Sequence, residues 1–143
     1  MPKINKTSLV NHSSSSMYEL VKNVDDYSKF LPMCVDSNSS EQDDGSIIAT
    51  VDIVFKGLPF SFTTININQP QKKISMKLKK GPFKSMSGYW EFIKIDEKNS
   101  KINFFLEWSF KNFLIEKTTG YVFNELSESL MDAFIQQADK NGK

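Results

Sequence analysis

Arginine is absent from the 143 residues; every one of the eighteen Lys+Arg positions is lysine. Planar, bidentate recognition of phosphate favours arginine, so a sequence-specific nucleic-acid reading is weakened, although genome bias towards lysine, asparagine and isoleucine accounts for the same composition. The single cysteine, Cys34, rules out an internal disulfide and fits a reducing compartment. With one histidine and one cysteine the chain lacks the nitrogen and sulfur ligands of a zinc site. No apolar run reaches the roughly 18 residues of a transmembrane helix. Met1–Thr7 has neither the apolar core of a signal peptide nor an Arg-rich transit pattern. A soluble cytoplasmic protein, at most peripheral to the inner membrane, is expected. The net charge of +1 points to no partner. The glycines are isolated, each reading as a turn or bulge rather than a phosphate loop. What is plentiful is aromatic: twelve Phe, four Tyr and two Trp, enough for a large core or an apolar cavity. A chain of this length reads as one domain, 1–143, able to bury roughly 68–70% of its unfolded surface.

Along the chain, Lys3–Val10 reads as a strand. Ser16 with Glu19 forms a capping box ahead of Met17, Leu20, Val21 and Val24, one face of a short helix. Asp25 and Asp26 can cap a second short helical turn that carries Tyr27, Phe30 and Leu31 and stops at Pro32. Residues 35–41 read as a polar edge strand. Ile47 to Phe55 alternates strongly, and Gly57-Leu58-Pro59 turns the chain. In the next strand Phe60, Phe62 and Thr64 share a face before the apolar parity moves to Ile65 and Ile67. A bulge near Thr63-Thr64 would reconcile the halves. Further strands carry Ile74, Met76 and Leu78, then Met86 to Phe92, then Ile102 to Phe110. From Asn112 the period turns helical, with Ile115, Phe123, Leu126, Leu130, Ala133, Phe134 and Gln137 on one stripe; Thr118-Thr119-Gly120 is a candidate bend or interruption. A long amphipathic helix beside an antiparallel sheet must cover it. The expected architecture is α+β, a curved antiparallel sheet of about six to seven strands wrapped around a long C-terminal helix, with two short helices after strand 1.

Nothing in the residues looks catalytic. His12, in a turn, has no partner at triad spacing and reads as a surface or capping residue. Cys34 reads as a small buried side chain rather than a reactive thiol. Glu91 and Glu107 alternate with large apolar neighbours and should point away from the core, not converge as an acid–base pair. The inner sheet face should carry Phe62, Met76, Met86, Trp90, Phe104 and Trp108, with Leu106 among them. Phe123, Leu126 and Leu130 face it from the helix. A curved sheet and one helix leave a candidate apolar cavity between them, the alternative being a solid core. Gly88, between Met86 and Trp90, leaves room for a ligand or a bend.

Three features together carry a resemblance: the segment Y-x-x-F-L-P-x-C at Tyr27–Cys34, the segment Gly81-Pro82-Phe83 followed by Gly88 and Trp90, and the long helical tail. From Pro2 to about Ala138 the chain resembles the coenzyme Q-binding START-like family. The resemblance implies the helix-grip fold and a hydrophobic ligand held between sheet and C-terminal helix. Ubiquinone or another polyprenyl lipid would be that ligand, bound as cargo in support of respiration and not as a redox cofactor. Tyr27, Phe30, Leu31 and Pro32 would shape one wall. The chain departs from the family pattern in its lack of Arg and at the apolar hairpin Phe55–Phe60.

Two functions compete. The leading one is non-catalytic binding of a hydrophobic small molecule. The other follows from the chain's closeness to the family's bacterial ribosome-association toxins: binding of the large ribosomal subunit so as to block subunit joining. Residues 71–94 hold seven lysines against one glutamate, a local charge of +6. Within them Lys73, Lys77 and Lys79 form a solvent-facing row that could meet rRNA phosphates, or else serve as a charged sheet edge that resists aggregation. A small aromatase of the polyketide cyclase type would share the fold without the acid–base pair. The hairpin with Phe55, Lys56, Leu58 and Phe60 could touch a membrane surface transiently, or fold inward to close the sheet.

Overall fold

A computed structural model describes residues 2–31 and 33–142. One antiparallel sheet is built from β1 (Lys3–Val10), β2 (Cys34–Glu41), β3 (Ile47–Phe55), β4 (Leu58–Gln69), β5 (Lys73–Lys80), β6 (Phe83–Lys94) and β7 (Ser100–Phe110). The strand order is β1-β7-β6-β5-β4-β3-β2. Consecutive strands from β2 to β7 are therefore neighbours, and β1 joins at the far side of β7 with Ile4 opposite Leu106. Between β1 and β2 lie α1 (Ser14–Lys22), a 3₁₀ turn (Val24–Asp26) and α2 (Tyr27–Phe30). The helix α3 (Phe113–Asn141) closes the fold. The helix stop expected at Pro32 lies outside the described residues.

β7 shows how the sheet acquires one dry face. Its burial alternates strictly along all 11 residues, as a period-2 strand with one covered side requires. Ile102, Phe104, Leu106, Trp108 and Phe110 point to α3; Lys101, Asn103, Phe105, Glu107 and Ser109 point outward. α3 begins at Asn112, whose side chain accepts from Ile115 N at 2.9 Å, satisfying one of the free amides of the first turn. It then runs unbroken for 29 residues, about 43 Å. The interruption expected at Thr118-Thr119-Gly120 does not occur. Thr118 Oγ1 donates to the carbonyls of Leu114 and Ile115 within the helix, and packing against the sheet outweighs the glycine's weak propensity. The buried stripe includes Met131 and Ala138 beside Phe123, Leu126 and Phe134, whereas Ile115, Ala133 and Gln137 are only half-buried.

Other local expectations shift by a residue or two. The cap of α1 is Ser13, not Ser16: Ser13 Oγ accepts from Ser16 N at 3.0 Å. In a run of four serines, the one whose hydroxyl reaches forward to the amide three residues on starts the helix. Asp26 occupies the N-cap position of α2, but its side chain makes no capping hydrogen bond. Asp25 accepts from Ser39 Oγ and Asp26 pairs with Lys29. The β3–β4 turn is Lys56-Gly57, with φ of 52° and 80°, the two positive values that a tight hairpin turn demands; Leu58 and Pro59 already belong to β4. The register does shift at Thr63/Thr64, but the extra residue is Lys79 on β5. β4 keeps its parity throughout. Thr64 and Asn66 follow Phe62 inward and are buried, while Ile67 is 58% exposed on the outer face.

Gly88 also has a different reason from the expected one. A Cβ there would lie 2.1 Å from the carbonyl oxygen of Phe105 and 2.9 Å from Cα of Leu106. The glycine is where β7's backbone comes closest to β6, and it opens no space for a ligand.

Candidate functional site

Between the sheet and α3 lies a cavity of about 90 Å³. Its walls come from every layer of the fold. β4, β5 and β6 supply Phe62, Met76, Met86 and Trp90; β7 supplies Phe104 and Leu106. Phe123, Leu126 and Leu130 line it from α3, and Tyr27 and Leu31 from the α2 region. Nine of the eleven side chains expected at a ligand site from the sequence thus meet on this cavity. Phe30 and Trp108 do not. Phe30 packs on Tyr27 and Phe134, with ring centres 6.2 and 5.7 Å away. Trp108 stands edge-on to Phe123 at 4.9 Å. There Phe83, Phe110 and Phe123 crowd the sheet end into solid core, Phe83 lying 4.8 Å from Phe123 and 5.1 Å from Phe110.

The aromatic walls are held by ring geometry. Trp90 stacks on Phe104 at 4.1 Å, and Phe134 meets Trp90 edge-on at 5.2 Å, arrangements that the ring quadrupoles favour. Tyr27 presents its ring to Phe134 at 5.2 Å and turns its hydroxyl inward to donate to the carbonyl of Val21. Burial pushes the phenol well above its ordinary pKa, so it stays neutral.

Sequence reasoning missed the polar members. Thr64, Asn66 and Ser127 line the cavity. Thr64 Oγ1 donates to Asn66 Oδ1 at 2.7 Å. Ser127 is fully buried and its Oγ has no partner among the described residues. The signal was present: Thr64 and Asn66 continue the period of Phe60 and Phe62, and Ser127 follows Phe123 by four residues. Hydrophobic pattern-matching passes over small polar residues on an apolar face. Ala49 and Ser87, two more small residues, line the same space, and the five together leave unfilled what larger side chains would occupy. Among the described residues, no carboxylate, lysine or histidine lines the cavity.

The remaining candidates lie elsewhere. Cys34 is buried, with Sγ 3.4 Å from the carbonyl of Asp36; burial raises its thiol pKa, outweighing a lowering hydrogen bond with Ser37. His12 is not without a partner. Its Nε2 lies 2.7 Å from Asp139 Oδ1, joining the turn after β1 to the end of α3. Glu91 and Glu107 sit on the outer face, Glu91 accepting from Asn103 Nδ2 at 2.9 Å. The hairpin tip folds onto α3 through Lys56 Nζ, 2.9 Å from Glu125 Oε2, and Phe60 reaches Phe123 at 6.1 Å. Beside the tip Tyr121 is 67% exposed, with Lys56 Nζ 5.4 Å from its ring centre, and in the first turn of α3 Phe113 and Leu114 are 74% and 70% exposed.

Lys73, Lys77 and Lys79 lie on β5, the fourth strand of seven. The row is therefore in the middle of the outer face, and the charged-edge reading falls. Lys77 and Lys79 are exposed. Lys73 Nζ sits 4.6 Å from the ring centre of Tyr89, and Tyr89 lies 5.6 Å from Phe105. A half-exposed aromatic pair and three lysines share this uncovered surface.

Residues 10–135 match the family model described as polyketide cyclase / dehydrase and lipid transport. The chain belongs to this family. Among curated relatives, it is 39% identical over 138 residues to the ribosome association toxin RatA of Escherichia coli K12, covering 96% of this chain and 87% of that one. It is 37% identical to RatA of Vibrio cholerae, covering 96% of each chain. Among solved structures, the ZhuI aromatase/cyclase of Streptomyces sp. R1128 superposes with a TM-score of 0.86 at 14% identity, over 99% of this chain and 96% of that one. A START superfamily protein of Mycobacterium smegmatis gives 0.81 at 17% identity, over 96% and 97%. At such identities the likeness is one of fold, and the helix-grip, START-like architecture is the fold of this chain. No helix among the described residues is long and apolar enough to cross a membrane.

Proposed function

We propose that this chain acts by binding rather than by catalysis, and that it associates with the large ribosomal subunit in the manner the RatA relatives' name describes, hindering subunit joining. The observation that carries the reading is the 39% identity to a ribosome association toxin across 96% of the chain. The outer face supports it. Lys73, Lys77 and Lys79 stand mid-sheet, free of a covering layer, beside the Tyr89–Phe105 pair. Lysines neutralise backbone phosphate without reading sequence, and exposed aromatic faces stack on unpaired bases. The lack of arginine fits a contact of this shape-reading kind. Co-sedimentation through a ribosome gradient tests the proposal. The protein should travel with the large subunit, and changing Lys73, Lys77 and Lys79 together to Gln should release it and lower the salt slope of binding by about 2. Undiminished co-sedimentation of the triple variant would remove the outer face from the argument.

A second reading concerns the inner side of the same sheet and is compatible with the first. The apolar cavity supports binding of a hydrophobic ligand, ubiquinone or another polyprenyl lipid. Met33, Met76 and Met86 in its wall give it adaptable surface, which a cavity of about 90 Å³ needs before it admits a substituted ring. The absence of any ionisable acid–base pair on the lining, among the described residues, supports a non-catalytic role. Mass spectrometry of an organic extract of the protein, purified from a quinone-producing host, tests it: quinone at stoichiometric level is the expected result, and none the contrary one.

A further inference from the structure

We infer that the cavity selects an uncharged amphiphile whose polar end carries an oxygen, and that Ser127 together with the Thr64–Asn66 pair receives that end. The inference rests on the ligand-cavity reading above. A hydroxyl inside a protein almost always has a partner, and Ser127 Oγ has none among the described residues although the side chain is fully buried. In a helix a serine can return its proton to a carbonyl one turn back; Ser129 does so, donating to Leu126 at 2.8 Å, and Ser127 does not. Across the cavity, Asn66 uses one end of its amide to accept from Thr64. Its amide nitrogen, a two-proton donor, makes no hydrogen bond among the described residues, though it is not a sealed, unpaired atom as Ser127 Oγ is. Unused hydrogen-bonding capacity thus stands on opposite walls, on α3 and on β4, in a space lined, apart from Ser87 on β6, by hydrocarbon and aromatic rings.

The chemistry of the missing partner follows. An aliphatic or plain aromatic hydrocarbon would leave Ser127 and Asn66 unpaired at a cost. A carboxylate or phosphate would enter a lining that holds no cation among the described residues, and burying an unpaired charge is far costlier than burying a neutral oxygen. A carbonyl, hydroxyl or ether oxygen at the end of an apolar body satisfies both walls.

Phenol and toluene are nearly isosteric and, as the smallest substituted rings, ask the least movement of the methionine-lined walls. Amide shifts of β4 and α3 in a nitrogen-15 titration report both occupancy and place. For the unaltered protein both rings should shift the amides of Thr64 and Ser127, and benzoate should not. Ser127→Ala should lower phenol affinity relative to toluene by about five- to tenfold. Thr64→Val, which frees Asn66 from its present partner, should also change the phenol-to-toluene ratio without changing toluene. An equal effect of Ser127→Ala on both rings, or none, overturns the inference while leaving the cavity reading intact. So does benzoate binding as tightly as phenol. Failure of both neutral rings to shift the cavity amides overturns the inference and the ligand-cavity reading together.

Discussion

Replacing Ser127 by alanine should make the protein more stable, against the usual direction for a buried position. The Oγ is buried with no partner among the described residues, and leaving such a group unpaired costs about 1–3 kcal/mol relative to water. Alanine removes that cost and gains roughly 0.5 kcal/mol of helix propensity. Against this stands the space vacated by one oxygen, about 10 Å³, worth about 0.2 kcal/mol at the usual cavity coefficient. The balance is a stabilisation of about 2 kcal/mol. With an unfolding entropy of about 2.1 cal/mol/K per residue, the melting temperature should rise by about 6 °C. Urea denaturation of the two proteins in parallel, with equal m-values, measures the difference. An unchanged or lowered midpoint would show that the hydroxyl is already satisfied, by water held in the cavity, and would refute the reasoning that treats it as idle. A residue that lowers stability and is nonetheless placed on a cavity wall is the kind of position where stability and binding oppose each other.

Gly88→Ala should lose about 3 kcal/mol or more, since its Cβ would stand 2.1 Å from the Phe105 carbonyl oxygen and the β6–β7 ladder must yield; a loss below about 1 kcal/mol by urea denaturation would contradict the close approach. Tyr27→Phe should flatten the alkaline limb of the stability profile. An unfolded tyrosine ionises near pH 10 and burial holds the folded Tyr27 protonated beyond that; above about pH 10 the unfolded state therefore binds fewer protons, and stability falls by up to about 1.4 kcal/mol per pH unit. Midpoints measured from pH 9 to 11, about the phenol pKa, check it, and parallel profiles for the two proteins would contradict it. Cys34 should resist iodoacetamide in the native protein and react promptly in urea, because burial raises its thiol pKa; rapid native labelling would mean that the β2 edge opens.

The strands were legible wherever one face is buried and the other wet. β7 alternates for its whole length, β3 carries an apolar residue at every second position from Ile47 to Phe55, and the long helix declared itself by the change of period at Asn112. What could not be read is also physical. Four consecutive serines offer several equivalent caps, and only the packing of Met17 and Val21 against the core selects Ser13. Ile65 and Ile67 imitate an inner face, yet the hydrogen-bond register set by the tight Lys56-Gly57 turn carries Thr64 and Asn66 inward instead. Strand order is invisible to local pattern, so the lysines of β5 looked like an edge when they lie at the centre. Of the site, the large side chains were found because hydrophobicity marks them. Thr64, Asn66 and Ser127 were missed because a small polar residue in a core position reads as noise until its neighbours are known. Trp108 and Phe30 show the converse: inward and aromatic does not mean that a side chain borders the empty space.

The placing of β1 beside β7 has a consequence for the order of assembly. Each of β2 to β6 finds its next partner as soon as the following strand is made, through a short turn. β1 does not, for Ile4 must wait for Leu106. Closing a loop of about a hundred residues instead of about ten costs roughly 2 kcal/mol more in chain entropy. At a synthesis rate of about 5–20 residues per second, the wait is on the order of ten seconds. The strand made first is the last to be paired, and for that interval Ile4 and Val10, both buried in the finished fold, stand in water.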